Sequence, residues 1–198
     1  MTKREQLKRM FARNRIVRAS MIRDAGIPAQ FITNMLRNGE ITRLGRGVYS
    51  PAESGATEIS DLETLSHVVP QGIICLVSAL RFHGLTDENP HEISVAIKHG
   101  SHPPRIEYPP VQFFVFSGPA YSSGVESHSV NGTELRVYSV EKTIADCFKY
   151  RNKIGLDIAV SALQDAVKKD KLNYNSLWES AKICRVSKII RPYMEAVR

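Results

Sequence analysis

Residues 27–51 read IPAQFITNMLRNGEITRLGRGVYSP, and the way this stretch divides decides the architecture of the first quarter of the chain. Pro28 suits the opening turn of a helix, where its missing N–H is not needed. Phe31, Ile32, Met35 and Leu36 then recur as one apolar stripe, while Ala29, Gln30, Thr33, Asn34 and Arg37 fall on the opposite face. Asn38-Gly39 closes the helix. Residues 40–44 (EITRL) and 48–50 (VYS) read as two short strands around the turn Gly45-Arg46-Gly47. Both glycines are expected to supply the unusual φ of a tight turn, with Arg46 at its tip. Ile41, Leu44, Val48 and Tyr49 can pack the hairpin onto the helices.

Working upstream, Thr2 can cap a helix through REQLKRMFARN, with Leu7, Met10 and Phe11 on one face. Ile16 and Val17 precede a short helix over 19–25, whose buried side is expected to be Met21, Ile22 and Ala25. Gly26 ends it. Three helices followed by a basic-tipped hairpin describe a winged helix-turn-helix, whose second motif helix enters a DNA major groove. Gln30 and Asn34 carry the amides that pair with adenine, Thr33 can touch a base or a thymine methyl, and Arg37 can grip guanine. Lys3, Arg4, Arg43 and Arg46 are the expected phosphate or minor-groove contacts. Winged helices also serve as protein-interaction modules, so charge has to help choose.

The chain of 198 residues carries a formal net charge of +7. Residues 1–51 hold eleven Lys/Arg against three Asp/Glu, and the remainder sixteen against seventeen. The whole excess therefore lies in the first quarter, which suggests a polyanion-binding module joined to a near-neutral domain. With 42% hydrophobic residues the chain can bury ordinary cores. Cys75, Cys147 and Cys184 are odd in number, widely spaced and without a CxxC pair, which argues against a disulfide framework or a zinc ribbon. No apolar stretch reaches the length of a membrane span, and the basic N-terminus lacks the apolar region of a signal peptide. A cytoplasmic protein without membrane association is expected.

Residues 52–56 read as a linker, so the expected division is a winged helix over 1–51 and a second domain over 57–198. Helices are expected over 60–69 and 72–83, then strands in EISVAIK and VQFFVFSG. VESHSV-NG-TELRVYS reads as a hairpin, since Asn131-Gly132 suits a type I′ turn. Helices follow over 140–150, 155–169, 174–181 and 187–196. The expected fold class is α+β, the second domain having a small, mostly antiparallel sheet with helices packed on it.

Candidate catalytic chemistry is sparse. His99 and His102 sit close together, but no cysteine or carboxylate cluster completes a metal site nearby. Gly100-Ser101 is not followed by the paired carboxylates that a nucleotidyltransferase needs, and there is no Walker loop or G-x-S-x-G elbow. No enzyme activity, cofactor or metal is expected, although a DNA-tethered metal-dependent nuclease or nucleotidyltransferase is the alternative. In VYSVEKTIADCFKYRNKIGLDIAVSAL, Ser139 can cap a helix with Glu141 in its first turn. Ile144, Cys147 and Phe148 read as core. Lys142, Asp146, Lys149, Arg151 and Lys153 read as an exposed set, either a solvated face or a contact surface.

Taken together, GRGVYSP, GIICLVSALRFHGLT and VYSVEKTIADCFKYRNKIGLDIAVSAL resemble the AbiEi family across nearly the whole chain. The resemblance implies an antitoxin and transcriptional regulator of an abortive-infection, type IV toxin–antitoxin operon. It implies binding to double-stranded DNA at inverted repeats in the operon's own promoter. It also implies a second domain that counters a nucleotidyltransferase-like toxin, with direct contact left open.

Overall fold

The first helix begins where a side chain can satisfy its orphan amides. The Glu5 N–H donates to Thr2 Oγ1 at 3.2 Å, and the Thr2 N–H donates to the Glu5 carboxylate at 2.9 Å, a reciprocal capping box. The computed structural model describes residues 2–52 and 58–197; residues 53–57, most of the expected linker, lie outside them. Two units cluster separately: Met1–Pro70 with Pro103–Pro110, and Gln71–His102 with Val111–Arg198.

In the first unit the order is α1 (Lys3–Arg13), β1 (Val17–Arg18), α2 (Ala19–Asp24), α3 (Ala29–Arg37), β2 (Ile41–Gly45), β3 (Val48–Pro51) and α4 (Glu58–Val68). Leu7, Val17, Ile22, Ile27, Ile32, Met35 and Ile41 form its core, with Met10, Phe11, Phe31, Leu36 and Tyr49 packed around it. The strands make an antiparallel sheet in the order β1-β3-β2. The pairing of Val17 with Tyr49 has no short-range signature, which is why residues 17–18 read only as a lead-in to α2. Met21, expected on the buried side of α2, is 39% exposed, and Ile22 alone anchors that helix in the core.

The second unit comprises β4 (Ile73–Ile74), α5 (Leu76–Phe82), β5 (Ile93–Lys98), β6 (Val111–Phe116), α6 (Pro119–Ser122), β7 (Val125–Val130), β8 (Thr133–Tyr138), α7 (Val140–Lys149), α8 (Arg151–Ile154), α9 (Leu156–Lys168), α10 (Tyr174–Ile183) and α11 (Ser187–Ala196). The α+β class holds. The sheet, in the order β6-β5-β4-β8-β7, is mixed rather than mostly antiparallel: β4–β5 and β7–β8 are antiparallel, β5–β6 and β4–β8 parallel. The expected helix over 72–83 is shorter, because Ile73-Ile74 forms the central strand between β5 and β8. A short apolar run with two β-branched residues is compatible with either state, and tertiary pairing decided for strand. The β7–β8 turn is as expected, with Asn131 at φ 49° and Gly132 at φ 78°.

Helix α7 corrects the reading of its charges. It packs against α5, α9 and α10, and Lys142 and Asp146 are fully buried rather than exposed. They form an ion pair one turn apart. The Lys142 ammonium also lies 4.1 Å from the Tyr138 ring centroid and 4.9 Å from that of Phe116. The second carboxylate oxygen accepts the Cys184 thiol at 3.1 Å. Burial pushes the Asp146 carboxyl up, and the Lys142 ammonium is the main influence opposing it.

Removing one partner would strand the other charge without water. Asp146→Ala is expected to cost about 3–5 kcal/mol. A joint Lys142→Met/Asp146→Leu replacement, which removes both charges, is expected to cost clearly less. Urea unfolding of the full chain followed by circular dichroism measures both; equal losses would contradict this account.

Candidate nucleic-acid interface

Helices α2 and α3 are joined by a turn that only glycine fits well: Gly26 adopts φ +67°. Ile27, 4% exposed, plugs this turn into the core, and Gln6 Nε2 donates to the Ala25 carbonyl at 2.9 Å, tying α1 to it. Pro28 stands at the N-cap of α3, one residue before the first helical position. Ile32 and Met35 are buried beneath α3. Gln30, Thr33, Asn34 and Arg37 are all exposed on the helix's other side.

These polar side chains are partly ordered before any ligand arrives. Gln30 Nε2 donates to Asn34 Oδ1 at 3.4 Å, and Thr33 Oγ1 donates to the Ala29 carbonyl at 3.2 Å. The amides therefore sit as a linked pair one helical turn apart, a spacing that suits neighbouring base edges. Committing the Thr33 hydroxyl proton to the backbone leaves its oxygen lone pairs and methyl group outward.

The wing is held from both sides. Its two strands pair from Ile41↔Pro51 to Gly45↔Val48, with a register shift between Arg43 and Gly45. Arg46 is exposed at the tip. Of the two flanking glycines, only Gly47 has the left-handed backbone expected of it, at φ +70°. Gly45 is required for space: a Cβ there would lie 2.7 Å from Val68 Cγ1 of α4. The carbonyl of Gly47 accepts the Ala19 N–H at 2.7 Å, which fixes the turn to the start of α2.

A later part of the chain also reaches the wing. Ile106 bridges Gly45 in antiparallel fashion, and the Leu44 carbonyl accepts the N–H groups of Glu107 at 3.2 Å and Tyr108 at 3.4 Å. Tyr108 in turn donates to Asp61 Oδ2 of α4 at 3.2 Å. This contact had no signal in the sequence. It places an additional exposed cation, Arg105, one residue from the bridge to the wing.

The eight candidate contacts are not equivalent. Lys3, Gln30, Thr33, Asn34, Arg37 and Arg46 are exposed and make no ion pair among the described residues. Arg4 donates from Nε and Nη2 to one Glu40 oxygen at 2.9 and 2.7 Å, and this guanidinium holds the Glu40 carboxyl below its ordinary range. Arg43 donates to the Gly45 carbonyl at 3.3 Å and lies 3.9 Å from Glu107. Both arginines already have an acid beside them.

His83 is half-buried, its Nε2 2.7 Å from the Tyr138 carbonyl, and desolvation pushes its pKa down. Among the described residues no three His, Cys, Asp or Glu side chains are grouped as a metal site. Among the same residues no helix is long and apolar enough to cross a membrane.

Residues 5–52, the winged helix just described, match the family model described as "Transcriptional regulator, AbiEi antitoxin". The N-terminus therefore carries a regulator domain of the AbiEi type. No curated protein matches the chain. Among solved structures, the RV2827C protein from Mycobacterium tuberculosis is similar over 100% of this chain and 80% of its own, with a TM-score of 0.66 at 16% identity. A likeness at that identity is one of fold.

The roles of the two wing glycines separate by substitution. Gly45→Ala is expected to lower stability by about 1–3 kcal/mol through overpacking against Val68. Adding Val68→Ala should restore part of that loss, whereas it should not rescue Gly47→Ala, whose cost lies in the backbone. Thermal melts of the four variants check this, and absence of any rescue at position 45 would refute the packing explanation.

Proposed function

We propose that the chain is a DNA-binding repressor and antitoxin that acts in the cytoplasm on its own toxin–antitoxin operon. Residues 1–51 read inverted repeats in the promoter, and residues 57–198 counter a nucleotidyltransferase-like toxin without catalysing a reaction themselves. The observation that carries this reading is the exposed face of α3, where Gln30, Thr33, Asn34 and Arg37 stand outward over a helix buried through Ile32 and Met35. Such a face costs nothing to leave in water and can match a base-pair edge donor to acceptor. The basic excess of residues 1–51 supplies the sequence-independent attraction to phosphate.

The exposure and ion pairs of these side chains support a division of labour. Arg46, at the tip and without an acidic partner among the described residues, contributes to phosphate or minor-groove affinity, as does Lys3. Arg4 and Arg43 contribute once their carboxylates are displaced. Gln30 and Asn34 discriminate bases.

Binding measured across a salt series, on the upstream region and on scrambled duplex, tests these roles. Arg46→Ala should weaken both duplexes alike and flatten the salt slope by roughly one. Asn34→Ala should cost ~1–3 kcal/mol at particular base pairs only. Equal affinity of the wild type for both duplexes would end the base-reading proposal.

Glu40 supplies an opposite test. Its carboxylate occupies Arg4, so Glu40→Gln should free a guanidinium and remove a charge that repels phosphate. The expected outcome is tighter binding to any duplex with a salt slope steeper by roughly one. Weaker binding would mean that the Arg4–Glu40 pair itself positions the helix.

A further inference from the structure

The five-stranded sheet has two edges, and they are finished differently. One edge, β7, reads VESHSV and carries Glu126 and His128, the charged finish by which natural sheets discourage further pairing. The other, β6, reads VQFFVF, with no charged residue and with Val115 52% exposed.

Hydrogen bonding shows which β6 residues look outward. The His99 N–H donates to the Phe116 carbonyl at 2.7 Å, so Phe116 turns its backbone toward β5. Backbone direction alternates along a strand, so Phe114 and Gln112 also face β5. Val111, Phe113 and Val115 therefore direct their N–H and C=O groups away from the sheet. Among the described residues nothing bonds to those groups.

We propose that β6 pairs antiparallel with β6 of a second copy, about a two-fold axis at Phe113. The occupant follows from the symmetry of the edge. Phe113 is the middle of the three outward residues, so self-pairing opposes Phe113 to itself and Val111 to Val115. All three find partners, forming roughly six backbone hydrogen bonds. The cross-strand pairs are Phe–Phe and Val–Val, both favourable, and an uncharged strand meets its own copy without like-charge repulsion. The contact is isologous and closed, so it stops at two copies. It stands independently of the operator reading, although two-fold protein symmetry is what inverted repeats match.

The test uses the full chain and no DNA, so its failure and that of operator binding are distinguishable. Light scattering after gel filtration should give a dimer mass for the wild type and a monomer for Val115→Lys at the same concentrations, with unchanged circular dichroism. Under mild oxidation Phe113→Cys should cross-link to itself, because directly opposed hydrogen-bonded Cα atoms lie about 5.5 Å apart, within disulfide reach. Gln112→Cys, opposed to Phe114, should not. The native thiols are all buried and give no background. If Phe113→Cys does not fold, a mixture of Val111→Cys and Val115→Cys should cross-link where each alone does not. A wild type that stays monomeric at every concentration overturns the proposal. So does a dimer that Val115→Lys leaves intact, or cross-linking without preference for position 113.

Discussion

One ammonium group shut away from water sets the terms for the larger unit. Lys142 has no solvent contact, so its charge must be answered inside: by the Asp146 carboxylate, by the faces of Tyr138 and Phe116, and indirectly by the Cys184 thiol on the far oxygen. Those groups come from β6, β8, α7 and the C-cap of α10. A single electrostatic requirement thus fixes the sheet, the central helix and the helix packed on its far side in one arrangement. Removing either charge alone would leave the other buried and unanswered.

The smaller unit depends on a different constraint, the space available around a short hairpin. β3 is its central strand and takes β1 on one side and β2 on the other, so the helix-turn-helix and the wing share a backbone. Gly45 lets α4 approach the wing, Gly47 lets the chain reverse, and Arg46 between them is carried outward. The wing is thus supported rigidly from beneath and carries at its tip a cation with no ion pair among the described residues.

How much of this was readable beforehand depended on range. Features set by residues three or four apart were legible: the Thr2 cap, the stripe of Ile32 and Met35, the glycine after α2, the Asn131-Gly132 turn. Features set by distant partners were not. Ile73-Ile74 became a strand because β5 and β8 flank it, Val17 because Tyr49 lies opposite, and Lys142 and Asp146 were drawn inward because α7 is enclosed by other helices. Charge at i and i+4 ordinarily marks a solvated face, and here the enclosing elements outweighed that preference. On the candidate interface the sequence showed which side chains α3 turns outward, but not that Arg4 and Arg43 already hold carboxylates, since Glu40 and Glu107 reach them only in the folded chain.

The arm from Pro103 to Pro110 has a practical corollary for dissecting the molecule. Cutting after Pro51 yields a piece that looks self-sufficient on paper, yet it would leave the rim of β2 bare: the Leu44 carbonyl would lose two donors, Gly45 its bridge to Ile106, and the hairpin its seat on α4. The smallest faithful fragment of the first unit is therefore discontinuous in sequence. Deletion mapping that treats the chain as two consecutive beads would mistake a frayed wing for the loss of whatever that unit does.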